Sequence, residues 1–115
     1  MRLEAKKYLY DIQHAVNLLT DFTHGRTFAD YGRDAMLRSA VERQCEIIGE
    51  AMNRLVKVDA LVAERISDNQ RIIAFRNILI HQYTDVDDRL VWDVVETKLP
   101  TLAREVRSLL VEGCA

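Results

Sequence analysis

Apolar residues return every three to four positions along most of this chain. Leu9, Ile12, Val16, Leu19 and Phe22 mark one face of a first helix, expected over about residues 3–22 and stopped near His24-Gly25. A polar turn with Phe28 and Tyr31 as anchors follows. A second long helix is expected over about 33–56, with Met36/Leu37, Ala40/Val41, Ile47/Ile48, Ala51/Met52 and Leu55 as its buried stripe. Asp30 and Asp34 suit its N-terminal end, where the helix dipole favours anions. Asp59 is placed to cap a short helix reaching about residue 66, and Ser67-Asp68-Asn69 forms a second capping cluster. The last apolar series runs from Leu90 to Leu110 and contains Pro100, which either kinks that helix or starts a new one in its first turn. No stretch alternates as a strand would, and no internal repeat is visible. The pattern predicts an all-α, up-down bundle of four or five helices, one domain over 1–115.

The segment from Ile72 to Ile80 breaks the amphipathic rule. At 100° per residue, Ile72, Ile73, Phe75, Ile78, Leu79 and Ile80 point almost all the way round a helix expected over about 70–81. Such a helix reads as enclosed by protein, in a core or a dimer interface. Yet it carries Arg76, Asn77 and His81, with Tyr83 just beyond. A guanidinium and an imidazole are costly to enclose unless they are paired or used.

Composition narrows the classes. Charged residues make up 30% and hydrophobic ones 49%, so a core is affordable, and 4 glycines with 1 proline favour long helices. The net charge of −2 supplies no global pull toward nucleic acid, so any RNA contact needs a local basic cleft. Cys45 and Cys114 stand far apart and make neither a disulfide scaffold nor a metal-ligand pair. His14, His24 and His81 lack the Glu-x-x-His spacing of a carboxylate-bridged metal bundle, so no metal or cofactor is expected. No signal-peptide pattern follows Met1 and no run approaches a membrane span, which leads us to expect a cytoplasmic chain with reduced thiols.

An Arg beside a His suits metal-free attack on an RNA phosphodiester. The ribose 2′-OH is the nucleophile, His is the natural proton shuttle, and Arg offers a fixed cationic fork to the phosphate. Asn77 and His81 are four apart and so are neighbours on the helix. Asn77 suits either the imidazole tautomer or a phosphate oxygen. Arg76 and His81 are about 140° apart around the axis, so one copy makes a thin site. Two copies across a two-fold axis would supply an acid and a base. The bland alternatives remain open on these residues alone. Arg76 would pair with Glu46 or Glu50, His81 would sit on the helix C-terminal dipole, and Tyr83 would be an amphipathic anchor. Glu42, Glu46 and Glu50 line one helix face; apart from Glu50, they are expected to form surface pairs with Arg38, Arg43 and Arg54. Glu50, beside Gly49, is placed to meet Arg76 at a tight helix crossing.

Arg76, Asn77, His81 and Tyr83 form an ungapped series: Arg, polar residue, three more, His, one more, Tyr. It resembles the signature of the HEPN-domain ribonuclease toxins, in their HepT-like branch. Glu42-Arg43, Ile47-Ile48-Gly49-Glu50-Ala51 and Leu99-Pro100 resemble that family too, so the likeness spans nearly the whole chain. The resemblance implies a HEPN-like bundle acting as a metal-independent endoribonuclease toxin on RNA. Arg76 and His81 would be the catalytic pair with Asn77 in support, and Glu50 joins them as a supporting residue on its own position beside Gly49. It also implies a homodimer. A cognate minimal nucleotidyltransferase antitoxin would neutralise it by transferring AMP to Tyr83, whose added phosphate would repel an RNA backbone. The competing class is a non-catalytic helical module that only binds a nucleotidyltransferase.

Overall fold

The computed structural model describes residues 1–82 and 84–113; Tyr83 and Cys114 lie outside the described residues. Seven helices occur among them: α1 (Leu3–Thr23), α2 (Phe28–Arg33), α3 (Ala35–Val58), α4 (Ala60–Glu64), α5 (Asn69–His81), α6 (Asp88–Thr97) and α7 (Leu99–Gly113). Five are longer helices, and α2 and α4 are short connectors. The architecture is all-α and HEPN-like.

Local chemistry sets most boundaries. Thr27 and Asp30 form a capping box that turns the expected loop into α2: the Thr27 hydroxyl accepts from the Asp30 amide and the Asp30 carboxylate accepts from the Thr27 amide. Asp34 caps α3, Asp59 caps α4 and Asp87 caps α6 through their carboxylates. Pro100 falls in the first turn of α7, where its missing N–H costs nothing, so the last apolar series is two helices. The α4–α5 turn departs from expectation. Asp68 precedes α5 in the left-handed conformation (φ 60°) and makes no side-chain cap. The turn is held instead by Glu105 of α7, whose carboxylate accepts from the Ser67 amide and hydroxyl, and by the Asn69 amide donating to Ala63 and Ile66 carbonyls.

The core lies where α1 and α3 run against each other. Leu9, Ile12 and Leu19 of α1 and Val41, Met52 and Leu55 of α3 are fully buried, with Val106 and Leu109 of α7 closing the other side of α1. At about 1.5–3 kcal/mol for each large side chain buried, this block dominates the favourable side of folding. Tyr31 of α2 is buried against Trp92 of α6, ring centroids 5.3 Å apart, so Trp92 is a core residue. Met36, expected in the stripe of α3, is 82% exposed: Leu37, one residue on in the same turn, takes the buried position, and Met36 falls on the side that faces away from the core.

α5 corrects the reading of an enclosed helix. It packs chiefly on α3, and only Leu79 is fully buried. Ile78 and Ile80 stay 36% and 37% exposed, and Leu90 of α6 is exposed as well. Between α5, α6 and α7 runs an apolar groove of about 380 Å³, lined by Ile72, Phe75, Ile78, Leu90 and Val94 among others. A single chain therefore covers one side of α5 and leaves much of its remaining apolar surface open.

Candidate active site

Gly49 brings the site together. It lies on the face of α3 that meets α5, and a methyl group built there would stand 2.1 Å from Arg76 Cβ and 3.3 Å from the Ile72 carbonyl oxygen. Only glycine permits this approach. A mid-helix glycine costs about 1 kcal/mol against alanine, and the close crossing is the reason for accepting it.

The crossing sets Arg76 of α5 beside Glu50 of α3. Arg76 Nη2 is 2.8 Å from Glu50 Oε2, and Arg54 Nε donates to Glu50 Oε1 at 2.9 Å. One carboxylate thus holds two guanidiniums, and the trio keeps a net positive charge. Arg76 Nη1 donates to Asn77 Oδ1 at 3.1 Å, so the Asn side chain is turned to the arginine. Arg76 Nε is buried and has no partner among the described residues. The Glu50 carboxylate raises the pKa of Arg54 further above its ordinary value, the direction expected of a hydrogen-bonded counter-charge.

Glu50, Arg54 and Arg76 wall a cleft of about 250 Å³ between α1, α3 and α5. Lys7 and Arg43 add two cations to Arg54 and Arg76, against Asp11, Glu46 and Glu50. Tyr8 and Ile80 contribute to its walls. Sequence reasoning paired Arg76 with Glu50 but did not place α1 here; the face containing Lys7 and Asp11, polar beside Leu9 and Ile12, was the available signal.

His81 is the last residue of α5, exposed, and is not part of this cleft. One chain therefore brings Arg76, Asn77 and Glu50 together and leaves the imidazole on another face of the helix. Of the surface pairs expected on α3, Arg43–Glu46 forms at 4.0 Å but Arg38–Glu42 does not, and Arg54 pairs instead with Glu50, expected to meet only Arg76. Arg38 turns back to donate to the Tyr31 and Gly32 carbonyls beyond the helix start. Glu42 is half-buried, and that burial raises its pKa. His14 and His24 are exposed, as expected, and no His/Cys/Asp/Glu cluster suited to a metal occurs among the described residues.

The helices and the arginine gripped across a glycine crossing make an all-α, HEPN-like bundle. The match can be made narrower. The family model for HepT-like ribonucleases, described as "Ribonuclease HepT-like", matches residues 12–109. A Methanocaldococcus jannaschii protein named "Putative RNase MJ1380" is 34% identical over 103 residues, covering 90% of this chain and 94% of its own. "Probable ribonuclease HepT" of Thermococcus cleftensis is 33% identical over 109 residues, covering 95% and 98%. No solved structure matches at a comparable level of significance. The chain belongs to the HepT-like ribonuclease family.

Proposed function

We propose that this protein is a metal-independent endoribonuclease and the toxin of a toxin–antitoxin pair, cutting RNA by attack of the ribose 2′-OH on the adjoining phosphodiester. The observation that carries this reading is the Gly49–Glu50–Arg76 arrangement. It fixes a guanidinium at the wall of an open cleft, with more positive than negative charge around it. Arg76 is the phosphate-binding group and charge stabiliser, because its planar fork matches two phosphate oxygens. Glu50 is the positioning residue, holding the fork before RNA arrives. Asn77 orients it from the other side. His81 shuttles the proton, taken from the 2′-OH and returned to the leaving 5′-oxygen.

The reading includes a homodimer. Ile80 leaves exposed apolar surface beside the Arg76 cleft, and Ile78 and Leu90 leave more along the apolar groove on the other side of the helix that carries the site residues. The His81 of a second copy would supply the imidazole missing from the cleft wall. One domain over 1–115, a nucleotidyltransferase antitoxin and AMP transfer to Tyr83 complete the proposal. They rest on the family signature, Tyr83 lying outside the described residues.

The test is RNA cleavage in EDTA by purified protein. We expect products ending in 2′,3′-cyclic phosphate. Inactivity in EDTA with activity restored by a divalent cation would refute the mechanism. For Tyr83, intact mass after co-expression with the cognate antitoxin of the proposal should rise by one AMP residue, and an unmodified Tyr83 peptide would remove that part.

A further inference from the structure

A second cleft of about 460 Å³ opens where the C-terminal end of α1 faces α6 and α7. It shares no wall residue with the Arg76 cleft. Thr20 lies about 18 Å further along α1 than Tyr8, at 1.5 Å per residue. Three arginines ring the second cleft: Arg26, Arg104 and Arg107. Glu96 is its one carboxylate. Arg104 and Arg107 pair with no carboxylate among the described residues; Arg104 reaches only the Thr101 hydroxyl at 3.3 Å, and Arg26 meets Asp34 at a long 3.7 Å. Elsewhere most arginines are neutralised by neighbours, as Arg33, Arg54, Arg65 and Arg89 are. In a chain of net charge −2, unneutralised cations gathered around a concavity are the local basic cleft that RNA contact requires.

The threonines sharpen the chemistry. Thr20 and Thr23 hydroxyls donate into their own helix, to the Val16 carbonyl at 2.9 Å and the Leu19 carbonyl at 2.8 Å. Their hydrogens are spent, so a ligand that reaches these hydroxyls finds only acceptors. Phosphate needs donors, which the arginines supply; a ribose 2′-OH can donate, which these threonines can accept. Leu99, Pro100 and Ala103 give the cleft an apolar part against which a sugar face can lie. An acidic protein would use the arginines and have no use for acceptors.

We propose that this cleft is an auxiliary binding site for the ribose-phosphate backbone of single-stranded RNA. Arg104 and Arg107 hold phosphates, and Thr20 and Thr23 distinguish ribose from deoxyribose. The proposal rests on the reading of this family member as RNA-acting, and it adds a site that tethers substrate apart from the scissile bond. Remote binding of this kind raises KM when lost and leaves kcat in place.

The experiment measures binding without cleavage. In an Arg76→Ala background, a fluorescent single-stranded RNA and its DNA counterpart are titrated by anisotropy over a range of salt. Adding Arg104→Gln/Arg107→Gln should raise the RNA Kd on the order of 10-fold and flatten the slope of log K against log salt by roughly 1.4, the value for two lost phosphate contacts on a single strand. Adding Thr20→Val/Thr23→Val should erase the preference for RNA over DNA. The charge-matched Arg33→Gln/Lys57→Gln, on exposed residues away from both clefts, should change neither. An RNA Kd and slope unmoved by the arginine pair would overturn the proposal and leave the cleft to an acidic protein partner. A wild-type protein that binds RNA through this pair yet cuts none would sink the nuclease chemistry alone.

Discussion

Replacing Gly49 by alanine tests the helix crossing on which the site depends. On an isolated helix this change is favourable by about 1 kcal/mol. Here the new methyl would meet Arg76 Cβ at 2.1 Å, Arg76 Cγ at 2.8 Å and the Ile72 carbonyl oxygen at 3.3 Å. Arg76 Cβ is fixed to the α5 backbone, so no rotamer relieves it. Carbon atoms settle at about 3.5–4.0 Å, so α5 must retreat by roughly 1.5 Å. Overpacking of this kind costs about 1–3 kcal/mol, and a contact this short belongs at the upper end. About 3 less about 1 leaves Gly49→Ala less stable by about 2 kcal/mol. Urea unfolding at fixed protein concentration reads this directly. The retreat also carries the guanidinium away from Glu50. A misplacement near 1 Å costs about 100-fold in rate, so cleavage should fall far more than stability explains. An alanine variant that is more stable than the parent and equally active would refute the close crossing.

Other consequences follow from the same coordinates. Glu50→Ala should cost about 1 kcal/mol, its partly exposed ion pairs being screened, and lower kcat about 10-fold or more with little change in KM. Glu50→Gln, which keeps one acceptor, should recover part of that rate, and equal rates for both variants would show that Glu50 does not position Arg76. Ile80→Asp should convert the proposed dimer to monomer in sedimentation and abolish cleavage; an unchanged sedimentation coefficient would exclude this face as the interface. Burial pushes the Cys45 thiol up to about 12 and lifts the Tyr31 phenol above its ordinary range. Both groups favour folding while protonated, so stability is full below about pH 9, where an unfolded thiol begins to ionise, and falls as pH climbs toward 12. Unfolding curves between pH 8 and 12 check this, and a flat profile would contradict it. At pH 8 the Cys45 peptide should be alkylated only as fast as the chain unfolds.

Much of this arrangement was legible in the residues because it is local. Heptad-like spacing gave α1 and α3 to within two residues at either end. Asp34 and Asp59 capped where an anion at a helix start should. Gly49 beside Glu50 pointed to a tight crossing. What escaped was non-local. The α4–α5 turn is held by Glu105 from α7, and no pattern near Ser67 announces a partner so far along the chain. Met36 and Leu37 are adjacent apolar residues in one turn, and periodicity alone does not say which of the two turns to the core. Ile72 to Ile80 reads as enclosed because periodicity reports what a helix can bury, not whether its own chain buries it. Nothing in the sequence marks Arg104 and Arg107, since an unpaired arginine differs from a paired one only in three dimensions.

The central claim is that Arg76 binds the scissile phosphate while His81 moves the proton. The most direct measurement is single-turnover cleavage of a labelled RNA in EDTA by parent, Arg76→Ala and His81→Ala, each shown to fold by circular dichroism and to keep the parent's sedimentation. Each substitution should lower the rate at least about 100-fold, the scale of a lost general acid–base or oxyanion-stabilising group. Folded variants that cut RNA at the parent rate would contradict the claim.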